Sequence, residues 1–265
     1  MIGLLAKALL TLVVVCGVMG GFLYTFQERL IFHPQPLKAD HSFSFPVPFE
    51  ERFIANGDIQ LHSIRFPKEN SLGVILYFHG NAGSLDSWGH IYADFAFAPY
   101  DLWILDYRGF GKSQGRIAGE DSLHEDALLF YQEAQAQYRE KDILIYGRSI
   151  GTGVAAKLAA DHPPKMLILE TPYFNFVDLV GQIAPWAPEF LLRYRLMTNT
   201  YIVDQPFPIH LFHGDRDALI PASSSDRLSH LDSNIQYHRI HGAGHNNISA
   251  FSQYDRQLRG LLTVP

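Results

Sequence analysis

Apolar and polar positions along the chain alternate between two periods. Short apolar runs occur at Leu72–Phe78, Tyr100–Leu105, Ile143–Tyr146, Met166–Leu169 and Ile209–Phe212, each bounded by polar or turn residues. Runs of this length read as strands buried on both faces. Between them the period lengthens. From Gly119 to Arg139, Leu123, Ala127, Phe130, Tyr131 and Ala134 fall on one helical face, with acids at the start and Arg139 and Lys141 at the end. Helices are also expected from Val154 to Ala160, from Pro221 to Leu231 and from Ile248 to Leu262, with a last strand at Ile235–Ile240. Glu51–Phe66 has the alternation of a hairpin around Asn56-Gly57-Asp58, with Asn-Gly supplying the positive φ of a tight turn. Strands alternating with helices predict an α/β chain, a mainly parallel sheet covered by helices on both faces.

Thr171–Pro206 breaks the alternation. It is too long for a simple connection and too apolar for a solvated loop. A small helical cap, inserted at about 171–206 over the C-terminal ends of the strands, is the expectation. Its apolar residues Phe174, Phe176, Trp186, Phe190 and Leu191 are then expected to line an apolar substrate groove. An extra packing helix with no part in binding is the plainer alternative.

The N-terminus has its own pattern. Ala8–Phe26 carries no charge, and as a helix it would be roughly 28 Å long, close to the hydrocarbon thickness of a bilayer. Tyr24 and Phe26 stand where an interfacial aromatic belt would, and Gln27-Glu28-Arg29 closes the run. A cleaved signal peptide competes with this reading, because Val18-Met19-Gly20 loosely resembles a cleavage site. The apolar run continues past it, which favours a retained single-pass anchor. Positive charge differs little across the span, so the side on which the following domain lies stays open; the short leading tail favours the cytoplasm for the tail. Residues 1–28 are thus expected to anchor, 29–50, with prolines at 34, 36, 46 and 48, to link, and 51–265 to form the domain. A chain starting near His33 is expected to be soluble and active.

Composition narrows the function classes. A net charge of −6 without a basic cluster excludes nucleic acid as the expected partner. Cys16 is the only cysteine, so no intrachain disulfide and no cysteine metal site can form. The thirteen histidines show no metal-binding spacing, and no metal or other cofactor is implied. Oligomeric state is not legible.

The chemistry centres on Gly147-Arg148-Ser149-Ile150-Gly151, which joins a predicted strand to a predicted helix. A turn that tight admits only glycine beside the serine, strains the serine backbone and exposes its hydroxyl at the positive end of the next helix. Such a nucleophile needs a base, a carboxylate to orient the base, and donors for the oxyanion. Loops after later strands supply both side chains: Asp215 or Asp217 in His213-Gly-Asp-Arg-Asp217, and His241 or His245 in His241-Gly-Ala-Gly-His-Asn246. His241 sits at a strand end before the turn, which favours His245. The loop His79-Gly-Asn-Ala-Gly83 can present the backbone N–H of Asn81, and Ile150 the second. His79, Asp106, Arg108 and Arg148 read as structural contacts.

FQERLIFHP after the anchor, HGNAG at 79–83, DYRGFGKS at 106–113, GRSIG at 147–151, HGDRD at 213–217 and GAGHN at 242–246 together resemble the α/β-hydrolase superfamily. Within it the chain is most similar to the membrane-anchored BEM46/ABHD13/ABHD17-like serine hydrolases. The resemblance implies Ser149 as nucleophile, Asp217 as acid, His245 as base, and Asn81 and Ile150 as oxyanion donors. It implies cleavage of a small-molecule or lipid-like acyl ester or thioester, with acyl groups on proteins as one option. A tethered binding module without turnover is the alternative in another class, and an intact set of three argues against it. A peptidase or amidase would share the machinery.

Overall fold

In the computed structural model, which describes residues 2–263, eight strands form one sheet. They are β1 (Glu50–Asn56), β2 (Ile59–Phe66), β3 (Val74–Phe78), β4 (Asp101–Leu105), β5 (Ile143–Arg148), β6 (Met166–Glu170), β7 (Ile209–Gly214) and β8 (Ile235–Ile240). Their spatial order is β8-β7-β6-β5-β3-β4-β2-β1. β1 and β2 pair antiparallel, as do β2 and β4, and every other neighbouring pair is parallel. The helices are α1 (Ile2–Ile31), α2 (Glu120–Gln135), α3 (Gly151–Asp161), α4 (Phe176–Ile183), α5 (Ser223–Ser229) and α6 (Ser252–Leu262), with shorter turns between. Met1, Val264 and Pro265, at the outer ends of the expected 1–28 and 51–265 ranges, lie outside the described residues.

Alternation along the strands builds two cores. Leu76, Phe78, Ile143, Ile145, Leu167 and Leu169 face one layer with Leu123, Phe130 and Val154 of α2 and α3. Their neighbours Ile75, Tyr77, Leu144, Tyr146 and Ile168 face the other, with Tyr254, Leu258 and Leu262 of α6. Each such side chain contributes about 1.5–3 kcal/mol on full burial, which is why these strands carry apolar residues at consecutive positions.

The hairpin turn differs from the expected one by one residue. Asn56 pairs with Ile59, so the loop is Gly57-Asp58, and only Gly57 has positive φ, at 57°. Helix α3 starts at Gly151, closer to the serine than the apolar pattern suggested, because Gly151 and Gly153 accommodate crowding there. A Cβ on Gly151 would lie 2.2 Å from the Phe78 carbonyl oxygen.

Helix α1 is the one described helix long and apolar enough to cross a membrane, and its side chains between Leu9 and Phe22 are largely exposed. The segment after it is not a free tether. His33–Pro34 pairs in parallel with Ala82–Gly83, Pro36 bridges to Gly111, and Phe43 and Phe45 pack on the second core.

Crowding around α3 gives a signed prediction. A Cβ at Gly153 would lie 2.2 Å from the Tyr173 hydroxyl, which accepts the Gly153 N–H at 3.1 Å. Gly260, also helical, has no atom within 4 Å of such a Cβ. Gly153→Ala should therefore cost about 1–3 kcal/mol by overpacking, despite a propensity gain of about 1 kcal/mol. Its Tm should fall by several degrees, while Gly260→Ala holds or raises Tm; thermal unfolding of the full chain in detergent checks both.

Candidate active site

Ser149 stands at the C-terminal end of β5 with φ of +53°, a conformation that costs a non-glycine residue about 1–2 kcal/mol. Neighbouring groups hold it there. Its N–H donates to the Glu170 carbonyl at 2.9 Å, and its own carbonyl accepts the Thr152 N–H at 3.0 Å and the Thr152 hydroxyl at 2.6 Å. A Cβ on Gly147 would come within 2.6 Å of the Gly151 carbonyl oxygen, so glycine is required on the strand side of the turn.

The loops after β7 and β8 bring the other two groups in. His245 Nε2 lies 3.0 Å from Ser149 Oγ, and its Nδ1 lies 2.7 Å from Asp217 Oδ2. The Asp217 side chain is fully buried. Burial alone would raise its pKa; hydrogen bonds from His213 and His245, with the Ile220 N–H, outweigh this and hold it well below the usual carboxylate range. It is therefore charged at neutral pH and fixes the proton of His245 on Nδ1, leaving Nε2 free to accept from the serine. Asp215 is elsewhere. It accepts from His241 Nδ1 at 2.9 Å and from the Gly242 N–H at 2.7 Å, so Asp215 and His241 tie the two loops together at the surface.

Several further groups support this arrangement. His213 Nε2 lies 3.2 Å from Asp217 Oδ2 and 2.9 Å from the Ile220 carbonyl oxygen, while its Nδ1 meets the Ser225 hydroxyl at 2.7 Å. With two acceptors at Nε2, that nitrogen carries the proton, and the ring braces Asp217 from behind. The recurrence of His-Gly before Asp217 was the only cue. Glu170, buried at the end of β6, sits 3.1 Å from Arg148 Nε and accepts the Tyr146 hydroxyl at 2.5 Å. Arg148 also lies over the Trp88 ring, a structural contact as expected. Burial would raise the pKa of Asp106, and the neighbouring imidazoles of His62 and His79, 3.6 and 3.5 Å from its carboxylate, lower it below its ordinary value. Asp106 also accepts the Leu85 N–H at 3.1 Å.

Ser149, Ile150 and Asn81 line one cleft of about 480 Å³. Neither the Asn81 nor the Ile150 N–H has an acceptor among the described residues. Of the five cap residues named from the sequence, Phe176, Trp186 and Leu191 line the cleft; Phe174 and Phe190 do not. The Phe174 ring is taken by the Arg227 guanidinium, 3.7 Å from its centroid, and Phe190 points outward, 79% exposed. The opposite wall was not foreseen: Leu23, Gln27, Leu30 and Ile31 of α1 form it. Gln27 donates to the Leu191 carbonyl at 3.0 Å and accepts the Arg193 N–H at 2.8 Å, and Asn81 Nδ2 donates to the Ile31 carbonyl at 2.8 Å. A chain starting at His33 would lose this wall and the partner that holds the Asn81 side chain, so the expected soluble, active chain is not what this packing supports.

The strand order, the glycine-flanked serine after β5 and the cap together define an α/β-hydrolase. Residues 69–205 match the Hydrolase_4 family, described as serine aminopeptidase S33, and the chain belongs to that family. Among curated relatives, the lysophosphatidylserine lipase ABHD12 of Gallus gallus is 37% identical over 74% of this chain and 61% of its own length. The Danio rerio lipase of the same name is 30% identical over 62% of this chain and 48% of its own, so the chain spans less than two-thirds of either. Among solved structures, the Pyrococcus furiosus esterase Pf2001 superposes with a TM-score of 0.66 at 18% identity, covering 86% of this chain and 98% of that one, which shows the shared fold.

The two aspartates separate by assay. Asp217→Asn favours the wrong imidazole tautomer and should lower kcat by about 10⁴, the size of the effect in another serine hydrolase. Asp215→Asn should leave kcat within a few-fold and lower Tm slightly. Ester hydrolysis and thermal unfolding of the two full-length variants measure this, and reversed results would transfer the acid role to Asp215.

Proposed function

We propose that this protein is a membrane-anchored serine hydrolase that cleaves carboxylic esters or thioesters of apolar acyl groups through an acyl-serine intermediate. The observation that carries the reading is the continuous line from Ser149 Oγ through His245 to buried Asp217, at 3.0 and 2.7 Å, opening into an apolar cleft. In this reading His245 takes the Ser149 proton as Oγ attacks the acyl carbon. The N–H groups of Asn81 and Ile150 take the oxyanion, at the positive end of α3. Protonated His245 then gives its proton to the departing alcohol or thiol, and the same nitrogen activates water to release the acid.

The cleft lining supports an acyl rather than a charged substrate. Its polar members are Gln27, His33, Asn81, Ser149 and Tyr173, with no carboxylate among them. The family's aminopeptidase description favours a second reading, hydrolysis of a peptide bond next to a free amino group. An ammonium entering this cleft would lack a counter-charge, a desolvation cost that an acyl chain does not meet. The lipase names of the curated relatives point the same way as the cleft. Helix α1 supports a retained anchor, because its last turns are part of the cleft wall.

A chain-length series tests the reading. Each methylene buried in the cleft contributes about 0.8 kcal/mol, roughly fourfold in kcat/KM. With full-length protein in detergent, p-nitrophenyl esters should show kcat/KM rising from acetyl to medium chains and then levelling, and Ser149→Ala should abolish all of it. A flat or falling profile would refute the acyl cleft. Turnover of aminoacyl amides without esters would replace the esterase reading with the peptidase one.

A further inference from the structure

The cap meets α1 below the charged residues that close its apolar run. Leu191 reaches the helix at Gly20, where a Cβ would lie 3.6 Å from Leu191 Cδ1. Gly20 lies six residues before Phe26, the last uncharged position of the run, a distance of about 9 Å along the axis. The charged contacts sit higher. Arg193 lies over the Tyr24 ring and pairs with Glu28 at 2.6 Å, and the Tyr194 hydroxyl donates to Glu28 at 3.0 Å. In the segment leading to Leu191 the cap carries Ile183, Trp186 and Phe190, 66%, 60% and 79% exposed. Ile183 and Trp186 line the cleft together with Leu23 and Leu30 of the helix.

We infer that the cap segment Ile183–Leu191 is immersed in the leaflet that α1 enters. It lies at the headgroup–acyl boundary, and the mouth of the cleft faces that boundary, so that a lipid acyl chain reaches Ser149 from the bilayer. The inference rests on the readings of α1 as anchor and Ser149 as nucleophile. Three observations select a lipid surface as the occupant of this face. The exposed apolar edge is continuous with the apolar surface of α1. The offset of about 9 Å matches the 5–10 Å to which interfacial elements sink their apolar face. The charges nearby are paired, Glu189 with Arg195 and Asp178 with Arg227, so the segment carries little uncompensated charge toward the boundary, and Trp186 is the residue type favoured there.

Phe190 is the probe position, because it is exposed and lies outside the cleft lining. A full-length chain carrying Cys16→Ser and Phe190→Cys, labelled at position 190 with an environment-sensitive fluorophore, is placed in phosphatidylcholine vesicles with or without acyl-chain nitroxide lipids. The expected result is blue-shifted emission quenched by the nitroxide lipids and little quenched by aqueous iodide. Water-like emission quenched by iodide would overturn the inference, and so would shielding from both quenchers, which would put protein on this face. In a second arm, Phe190→Glu should leave hydrolysis of a water-soluble acetyl ester unchanged and slow hydrolysis of a vesicle-embedded long-chain ester about tenfold, since a charge is disfavoured at the boundary. Equal effects on both substrates would overturn the entry route. Immersion is read from fluorescence in the Ser149→Ala background as well, so a failure of the hydrolase reading leaves nitroxide quenching intact, whereas a failure of immersion leaves hydrolysis of the soluble ester intact.

Discussion

The turn at Ser149 is the constraint to which the other parts of the site are fitted. A left-handed serine between a buried strand and a helix is unfavourable by itself, and it persists because every neighbour is shaped to it. Gly147 and Gly151 leave room where a Cβ would strike backbone, and the Glu170 carbonyl holds the serine N–H. The Glu170 side chain in turn receives Arg148 and Tyr146. The geometry thus purchased has two results: Oγ projects into the cleft, and the N–H of Ile150, at the start of α3, has no acceptor among the described residues.

Asp217 and His245 arrive from two separate loops, and the parallel sheet makes their meeting possible. β7 and β8 run in register, from Ile209 with Ile235 to Gly214 with Ile240, so the loops that follow leave the same edge of the sheet as the serine. Asp215 and His241 fasten those loops at the surface, while Asp217 and His245 meet beneath it. Burial makes the second pair effective: a carboxylate out of water and braced by His213 orients one imidazole far more strongly than a solvated one would.

Much of this was legible in the residues, for identifiable physical reasons. Strands buried on both faces must be apolar at consecutive positions, so β3, β5 and β6 announced themselves, and a parallel sheet followed. The serine turn was legible because its sterics demand glycine at fixed offsets. What stayed hidden depends on contacts between distant segments. Phe174 and Phe176 are equivalent as text, yet one stacks on Arg227 and the other faces the cleft. Likewise, the apolar pattern of residues 8–26 says that the helix can span a bilayer, but not that its last turns would wall the cleft or that Gln27 would clasp the cap at Leu191 and Arg193. No periodicity encodes which surface a helix end will meet.

Helix α1 and the α/β domain therefore share one wall at the cleft, and the acyl-serine reading gives that joint wall a purpose. The central claim is that Ser149 is the single activated nucleophile. Reaction of the full-length protein with a fluorophosphonate, followed by intact-mass and peptide mapping, tests it most directly. The account predicts one adduct per chain, on the peptide containing Ser149, and none in Ser149→Ala or after prior heat denaturation. An adduct on another serine, or undiminished labelling of Ser149→Ala, would contradict it.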